Sequence, residues 1–203
     1  MAGAPDNFSN TTIVIGPGKL YADLAIPGHG GRLILDPSDG APSLVQNPDA
    51  KHIGYTLEGT EFSIRPEVTN FFADETSFPI VSRVQQEVAQ VTGTALQVAD
   101  FDIQEILNPT ATRTTISGID GIHFGGSPLL TYTCVAIVFP LEEDPTRYGV
   151  VQLYKAFNNA GIAARVTRTA LAGTPFAFQG QAIGTRPVGD QVGAFWKQNV
   201  IGS

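Results

Sequence analysis

The sequence predicts a mainly β, single-domain protein with one short helix, and three observations lead there. In the second half, four apolar, β-branched-rich runs follow one another: Leu129 to Phe139, Tyr148 to Phe157, Ile162 to Ala170 and Thr174 to Ile183. They are separated by "PLEEDPTR", "NNAG" and "LAG", and turn residues recurring at roughly 8–12-residue spacing mark a meander. The stretch Gly54 to Val88 places β-branched and aromatic residues at a loose period of two. In "DFDIQEIL", by contrast, Asp100 stands as an acidic N-cap before Phe101, Ile103, Ile106 and Leu107 at helical spacing, with Pro109 as the stop. A chain of 203 residues is long enough for one large domain.

Residues 1–11 read as an N-terminal arm, and "TTIVIGPGKLYADLAI" as a strand broken by Gly-Pro-Gly. Residues 24–52 form a long glycine- and proline-rich connection with a short apolar core at Leu33 to Leu35; loops of that length are uncommon unless functional or flexible. Residues 56–81 predict an extended hairpin. Tyr55 and Leu57 are odd-numbered whereas Phe62, Ile64 and Val68 are even, so a bulge at Gly59 would shift the inward-facing set. Pro66 cannot donate to a ladder, which puts it on an edge or at the hairpin's bend. Between residues 58 and 75, Glu58, Glu61, Glu67, Asp74 and Glu75 stand against Arg65 alone. A two-stranded arm is marginal in water unless it lies against something.

The next stretch, "VSRVQQEVAQVTGTALQV", has valines at helix-compatible spacing, but its β-branched content predicts strand. The helix follows over 100–108, and the meander closes the domain at residue 183. Residues 184–203 lack strand periodicity and read as a C-terminal arm anchored by Trp196 beside Phe195, dispensable for folding and needed for assembly.

Composition restricts function. Charged residues make up 15% of the chain, against roughly 25% in a typical soluble domain, so part of the surface is either covered by other protein or polar without charge. The net charge of −7 is uneven: residues 1–154 hold 18 acidic and 7 basic residues, while residues 155–203 hold one acid and five bases. That balance argues against binding nucleic acid through a broad positive face and is compatible with head-to-tail self-association. Cys134 has no intramolecular disulfide partner and sits in an apolar run, the setting of a buried packing cysteine. The first ten residues lack the pattern of a signal peptide, which implies folding in a cytoplasm.

Catalytic and cofactor signals are poor. "GHGG" and "HFGG" lack the spacing of a phosphate cradle, and His29, His52 and His123, in glycine-containing, loop-like sequence, show no metal-ligand spacing. Glu142, Glu143 and Asp144 are most simply a solvated turn in which Pro145 fixes φ. No GxSxG elbow occurs. The expectation is therefore a non-enzyme with no catalytic residue, cofactor or metal.

The order of several weak motifs carries a resemblance. "GKLYADLA", then "HIGYTLEGTEFS", an acidic hairpin near "PEVTNFFADET", a strand with a short helix behind it, and the closing "TPFAFQGQAI" together resemble the major tail tube proteins of long-tailed, siphovirus-like bacteriophages. The resemblance spans about Gly18 to Ile183; "GHGGRLILDPSDGAP" and residues 184–203 depart from it.

What the resemblance implies is a β-sandwich or partial barrel of two packed sheets with one short flanking helix and a long extended hairpin. Six copies would join into a ring, and rings would stack into a hollow, β-lined tube that conducts viral DNA into the host cell. Partners would be further copies of the chain together with tape measure, tail terminator and distal tail proteins, in a virion tail assembled in the host cytoplasm. Glu58, Glu61, Arg65, Glu67, Asp74 and Glu75 would lie at the lumen or between subunits, where carboxylates repel DNA. Phe71, Phe72, Phe78, Phe195 and Trp196 would anchor interfaces. Two alternatives stay open: a related assembly module such as a tail terminator or secretion-tube protein, and a free carbohydrate-binding β-sandwich whose platform would be Tyr55, Tyr132, Tyr148 and Trp196.

Overall fold

The computed structural model of the chain describes residues 18–25, 33–36, 40–43, 46–72, 78–96, 100–125, 129–141, 144–161 and 173–199; the side chains of Glu58, Gln85, Asp144, Pro145, Thr146 and Asn199 fall outside that description. The elements in chain order are β1 (Lys19–Leu24), β2 (Lys51–His52), β3 (Thr56–Phe71), β4 (Val81–Ala95), α1 (Phe101–Leu107), β5 (Thr112–Ile116), β6 (Ile119–His123), β7 (Thr133–Leu141), β8 (Asp144–Asn158), β9 (Thr174–Gly180) and β10 (Gly193–Asn199). The protein is mainly β, with an eight-stranded antiparallel sheet, a two-stranded sheet and one short helix, consistent with a β-sandwich whose barrel is not closed.

The large sheet runs β2-β1-β7-β8-β9-β4-β3, and β10 joins it by pairing β8. Fifteen residues long, β8 is the spine, with β7 alongside it from residue 144 to residue 156. Along its other side β10 pairs with Arg147 to Leu153, and β9 only with Ala156 to Asn158. The sheet therefore forks: β10 leaves at one end of the spine, and β9, β4 and β3 leave at the other.

The apolar pattern of β7, "TCVAIVFPL", explains its central place. Alternate side chains of a strand enter opposite faces, so a strand apolar from Cys134 to Leu141 needs cover on both. On one face Val135, Ile137 and Phe139 join Leu20, Val151, Leu153, Phe176 and Phe178, under Ile103 and Leu107 of α1. On the other, Cys134, Ala136 and Val138 join Tyr21, Leu24, Val150 and Trp196, and Leu33 and Leu35 of the long connection fold beneath them. Gly149 is required because the ring of Phe139 lies where a Cβ would stand.

Asp100 caps α1 as expected, its side chain accepting from the N–H groups of Asp102 at 2.9 Å and Ile103 at 3.5 Å. The small β5–β6 sheet is tied to the helix by Arg113, which contacts Asp102 at 2.6 Å and Asp120 at 3.6 Å. At the far end of the helix, buried Asn158 donates through Nδ2 to the Leu107 carbonyl at 2.6 Å. Its Oδ1 accepts from Ala177 N–H at 2.7 Å and from Ala160 N–H at 3.3 Å. One side chain thus joins α1, the end of β8 and β9. Asn158→Ala leaves these backbone groups unpaired, and an orphaned buried group costs about 1–3 kcal/mol. We expect a loss of about 2–4 kcal/mol, seen as a lower denaturation midpoint with an unchanged slope.

Several expectations are corrected. The hairpin does not end near residue 81: its tip is the segment between Phe71 and Val81, and the return strand continues to Ala95. Asp144 and Pro145, expected in a solvated turn, lie within β8, with Asp144 paired to Leu141; residues 142–143 lie outside the described residues. β5 and β6 form a hairpin that the reading of the sequence missed, built on Ser117 and Gly118 at φ 54° and 79°. His52 and His123 lie in strands rather than loops.

Residues 184–199 are not a free arm. Residues 193–199 are β10, and Trp196 is 9% exposed inside the second cluster, because its indole faces the sheet beside Val150. The segment before β10 is clamped as well. Arg186 is buried, donates to the Asp190 carboxylate at 2.7 Å and to its carbonyl at 2.8 Å, and stacks 3.8 Å over the ring of Tyr154. The Tyr154 hydroxyl donates to Asp190 at 2.7 Å, and its pKa is pushed up to about 12 by burial and by that bond. The expected N-terminal arm, the strand portion before Gly18 and the run at 162–170 lie outside the described residues.

Candidate interface: the hairpin arm

Among the described residues, the longest strands that lack cover are the outer parts of β3 and β4. β4 pairs with β9 only from Gln90 to Ala95, so from residue 89 outward to residue 81 its partner among the described strands is β3 alone. At roughly 3.3 Å per residue, the two strands run about 25–30 Å beyond the sheet as a ribbon two strands wide.

Two irregularities set which side chains share a face. At the root, Leu57 pairs with Thr94 and Thr60 with Gly93, so Glu58 and Gly59 are both extra, with Gly59 at φ 88°. The bulge falls where the sequence indicated, but it does not shift the inward-facing set. Two inserted residues preserve parity, so Thr56, Thr60 and Phe62 all face the core side and Leu57 is left half-exposed on the outer side. Further out, Glu67 pairs with Gln86 and Val68 with Val84, so Gln85 is the extra residue. Pro66 lies on the edge strand opposite Glu87, where a missing N–H removes no bond to a third strand.

The arm consequently has two unlike faces. Even-numbered β3 residues continue the core side outward, and beyond Phe62 the side chains of Ile64, Val68 and Val84 stand exposed. Odd-numbered residues share the outer face, which brings Glu61, Arg65 and Glu67 together as exposed neighbours and adds Arg83, opposite Thr69. Among the described residues the charges of this face cancel, so the acidity of the hairpin sequence does not become an acidic surface there. Asp74 and Glu75 lie outside the described residues, as does the side chain of Glu58.

The tip is apolar. Phe71, Phe72 and Phe78 are 51%, 61% and 80% exposed, and Ile80 and Val81 stand exposed beside them. Phe71 pairs with Val81, and the N–H of Ile80 donates to the Phe71 carbonyl at 2.8 Å, which closes the ladder. Phe195 is exposed as well, stacked on Phe139 with ring centroids 6.1 Å apart. Of the five expected anchors, the structure withdraws Trp196 from the surface. The sequence reading missed Ile80, Val81 and Val84, and periodicity did not single them out: Val84, Val88 and Val91 stand at helix-compatible spacing, and Val84 shares the face of Val91 only through the extra residue at Gln85.

The carbohydrate platform is not assembled. Trp196 and Tyr148 pack in the second core cluster, and Tyr132 meets Phe157 edge-on beneath the ammonium of Lys155. Tyr55 alone of the four is mostly exposed, at 79%.

Titratable groups elsewhere are engaged structurally. Hydrogen bonding and charge from Lys51, and the guanidinium of Arg113, hold the Asp102 carboxyl below its usual range, while burial raises that of Asp23. Cys134 is buried, its sulfur accepts from Gln152 Nε2 at 2.9 Å, and burial pushes its pKa up to about 12. The thiolate is the reactive form, so we expect no labelling of native protein by iodoacetamide at pH 8 and one labelled thiol per chain after unfolding. Prompt labelling of native protein would show that the second core cluster opens. Among the described residues, no three His, Cys, Asp or Glu side chains converge to hold a metal ion, and no helix is long and apolar enough to cross a membrane.

No protein-family model matches the chain, and no curated protein matches it.

Proposed function

We propose that this chain is a self-assembling structural subunit of the tail tube kind, which polymerises as stacked hexameric rings around a conduit for DNA and carries no catalytic function. One observation supports the reading above all: a two-stranded arm with aromatic side chains at its tip, and with Ile64, Val68 and Val84 exposed beside Glu87 on one face, projects past the described strands of the sheet. A hairpin of that kind is marginal in water by itself, and an unsupported β edge invites pairing with another chain. The most economical support is a second copy. A contact between the arm of one copy and a different surface of the next is heterologous, and such contacts build rings when they close and filaments when they do not.

The charge pattern refines the roles. Glu61, Arg65, Glu67 and Arg83 on one strand-ribbon face form a mixed surface of the sort that sets register between subunits, rather than a uniformly repelling wall. Passage of DNA is favoured by the overall charge of −7, because a lumen without net positive charge releases no counterions and holds no phosphates.

Negative-stain electron microscopy of the purified chain over a range of salt and protein concentrations tests the proposal. Rings or hollow tubes are the expected result. A monodisperse monomer under all conditions would overturn it.

A further inference from the structure

Where the sheet forks, an apolar groove of about 350 Å³ opens between β10 and the root of the arm. Phe62, Ile64 and Ala89 line it on the arm side, Ala194 and Phe195 on the β10 side, and the exposed Glu87 adds one charge. Ile64 and Phe195 are 53% and 57% exposed, so no described side chain covers them.

We propose that this groove receives the arm tip of a second copy of the chain. The proposal rests on the chain's being a self-assembling subunit, and it adds which surface takes the arm. An arm cannot fill its own groove. Ile64 and Ala89 pair at its root, Phe71 and Val81 at its tip, and seven residues of strand hold the two places about 23 Å apart.

Charge complementarity gives the contact its register. On the tip, Phe71 and Val81 pair on the outer face, and the exposed Arg83, two residues behind Val81, shares that face. At the groove, Ile64 and Ala89 pair on the core-side face, and Glu87, opposite Pro66, stands two residues outward from Ala89. Each surface is thus an apolar pair with one charge about 7 Å along the strand, and the two charges are opposite in sign. An arm laid antiparallel with Val81 over Ala89 brings Arg83 level with Glu87. Within one chain these two residues face opposite sides of the ribbon, and among the described residues neither has an ion-pair partner. Because an outer face meets a core-side face, the contact is heterologous and can repeat.

The area is sufficient. The exposed parts of Phe71, Phe72, Phe78, Ile80 and Val81 come to about 500 Å². A contact that buries as much of the groove and its rim reaches about 1,000 Å² in all, the lower end of specific interfaces.

Charge exchange in the full-length chain gives the first test, read by sedimentation velocity at low, fixed salt. Arg83→Glu and Glu87→Arg are each expected to raise the concentration needed for assembly at least about tenfold, and the double variant to bring it back to within about threefold of the parent chain. Both residues are exposed, so the denaturation midpoint should hardly move. Unimpaired single variants, or a double variant that does not recover, would overturn the proposal. The second test mixes two preparations, Ile64→Cys and Val81→Cys, treats them with a short bismaleimide and reads the products by mass spectrometry; Cys134 can remain because its thiol is buried. A link joining positions 64 and 81 of different copies is expected. Assemblies that form without that link would overturn the groove as the receiving surface and leave self-assembly standing, whereas a chain monomeric under every condition would overturn both.

Discussion

Replacing Trp196 by Ala is expected to lower the stability of the fold by about 3–5 kcal/mol, the usual cost of truncating a buried tryptophan. The indole sits on β10 opposite Val150 and fills the cluster made by Tyr21, Leu24, Leu33, Leu35, Cys134, Ala136 and Val138. Its removal leaves a cavity between the sheet and the long connection beneath it, and those neighbours come from four separate stretches of chain that cannot collapse inward together. Against the 5–15 kcal/mol that ordinarily holds a domain folded, such a loss is a large fraction of the whole. Because Trp196 is the single tryptophan, unfolding should be followed by far-ultraviolet circular dichroism rather than fluorescence. Phe195→Ala provides the contrast: that side chain is 57% exposed, and its loss should cost under about 1 kcal/mol. A Trp196 variant as stable as the Phe195 variant would mean that β10 adds nothing to the core.

The same residue shows where reading the sequence failed and why. Residues 193–199, "GAFWKQN", offer only seven positions, with two adjacent aromatics that enter opposite faces of a strand. Periodicity over so short a run cannot distinguish a strand from an arm, and the pairing that fixes it, with Arg147 to Leu153, lies about forty residues away. Local signals were legible. The cap at Asp100, the bulge at Gly59 and the edge position of Pro66 each follow from what one residue type can or cannot do with its backbone. The balance of charge on the arm was not legible, because it depends on which residues the single extra residue at Gln85 and the pairing with β4 bring alongside Glu61 and Glu67. Acidic sequence and acidic surface are different properties, and only strand register connects them.

Substituting both Phe71 and Phe72 by Asp is expected to leave the fold intact and to suppress self-association. The two side chains are 51% and 61% exposed at the end of the arm, so they contribute little to the core. The ladder bonds around them are backbone bonds that Asp also makes, including the one from Ile80 N–H to the Phe71 carbonyl. Stability should therefore change by no more than about 0.5 kcal/mol per site. If the tip docks into an apolar surface of another copy, the variant loses two aromatic anchors and must desolvate two carboxylates to make the same contact. Loss of a single anchor of this kind commonly costs 2 kcal/mol or more, and each 1.4 kcal/mol is tenfold in affinity. The concentration needed for assembly should accordingly rise at least about a hundredfold, measured by sedimentation velocity at fixed salt. Salt distinguishes this contact from the charged face of the ribbon: an apolar tip contact persists at high ionic strength, whereas one made by Glu61, Arg65, Glu67 and Arg83 weakens as the Debye length shortens. Unimpaired polymerisation of the double Asp variant would remove the tip from the interface and leave the ribbon faces, Ile64, Val68 and Val84 on one side and the mixed charges on the other, as the surfaces through which the arm acts.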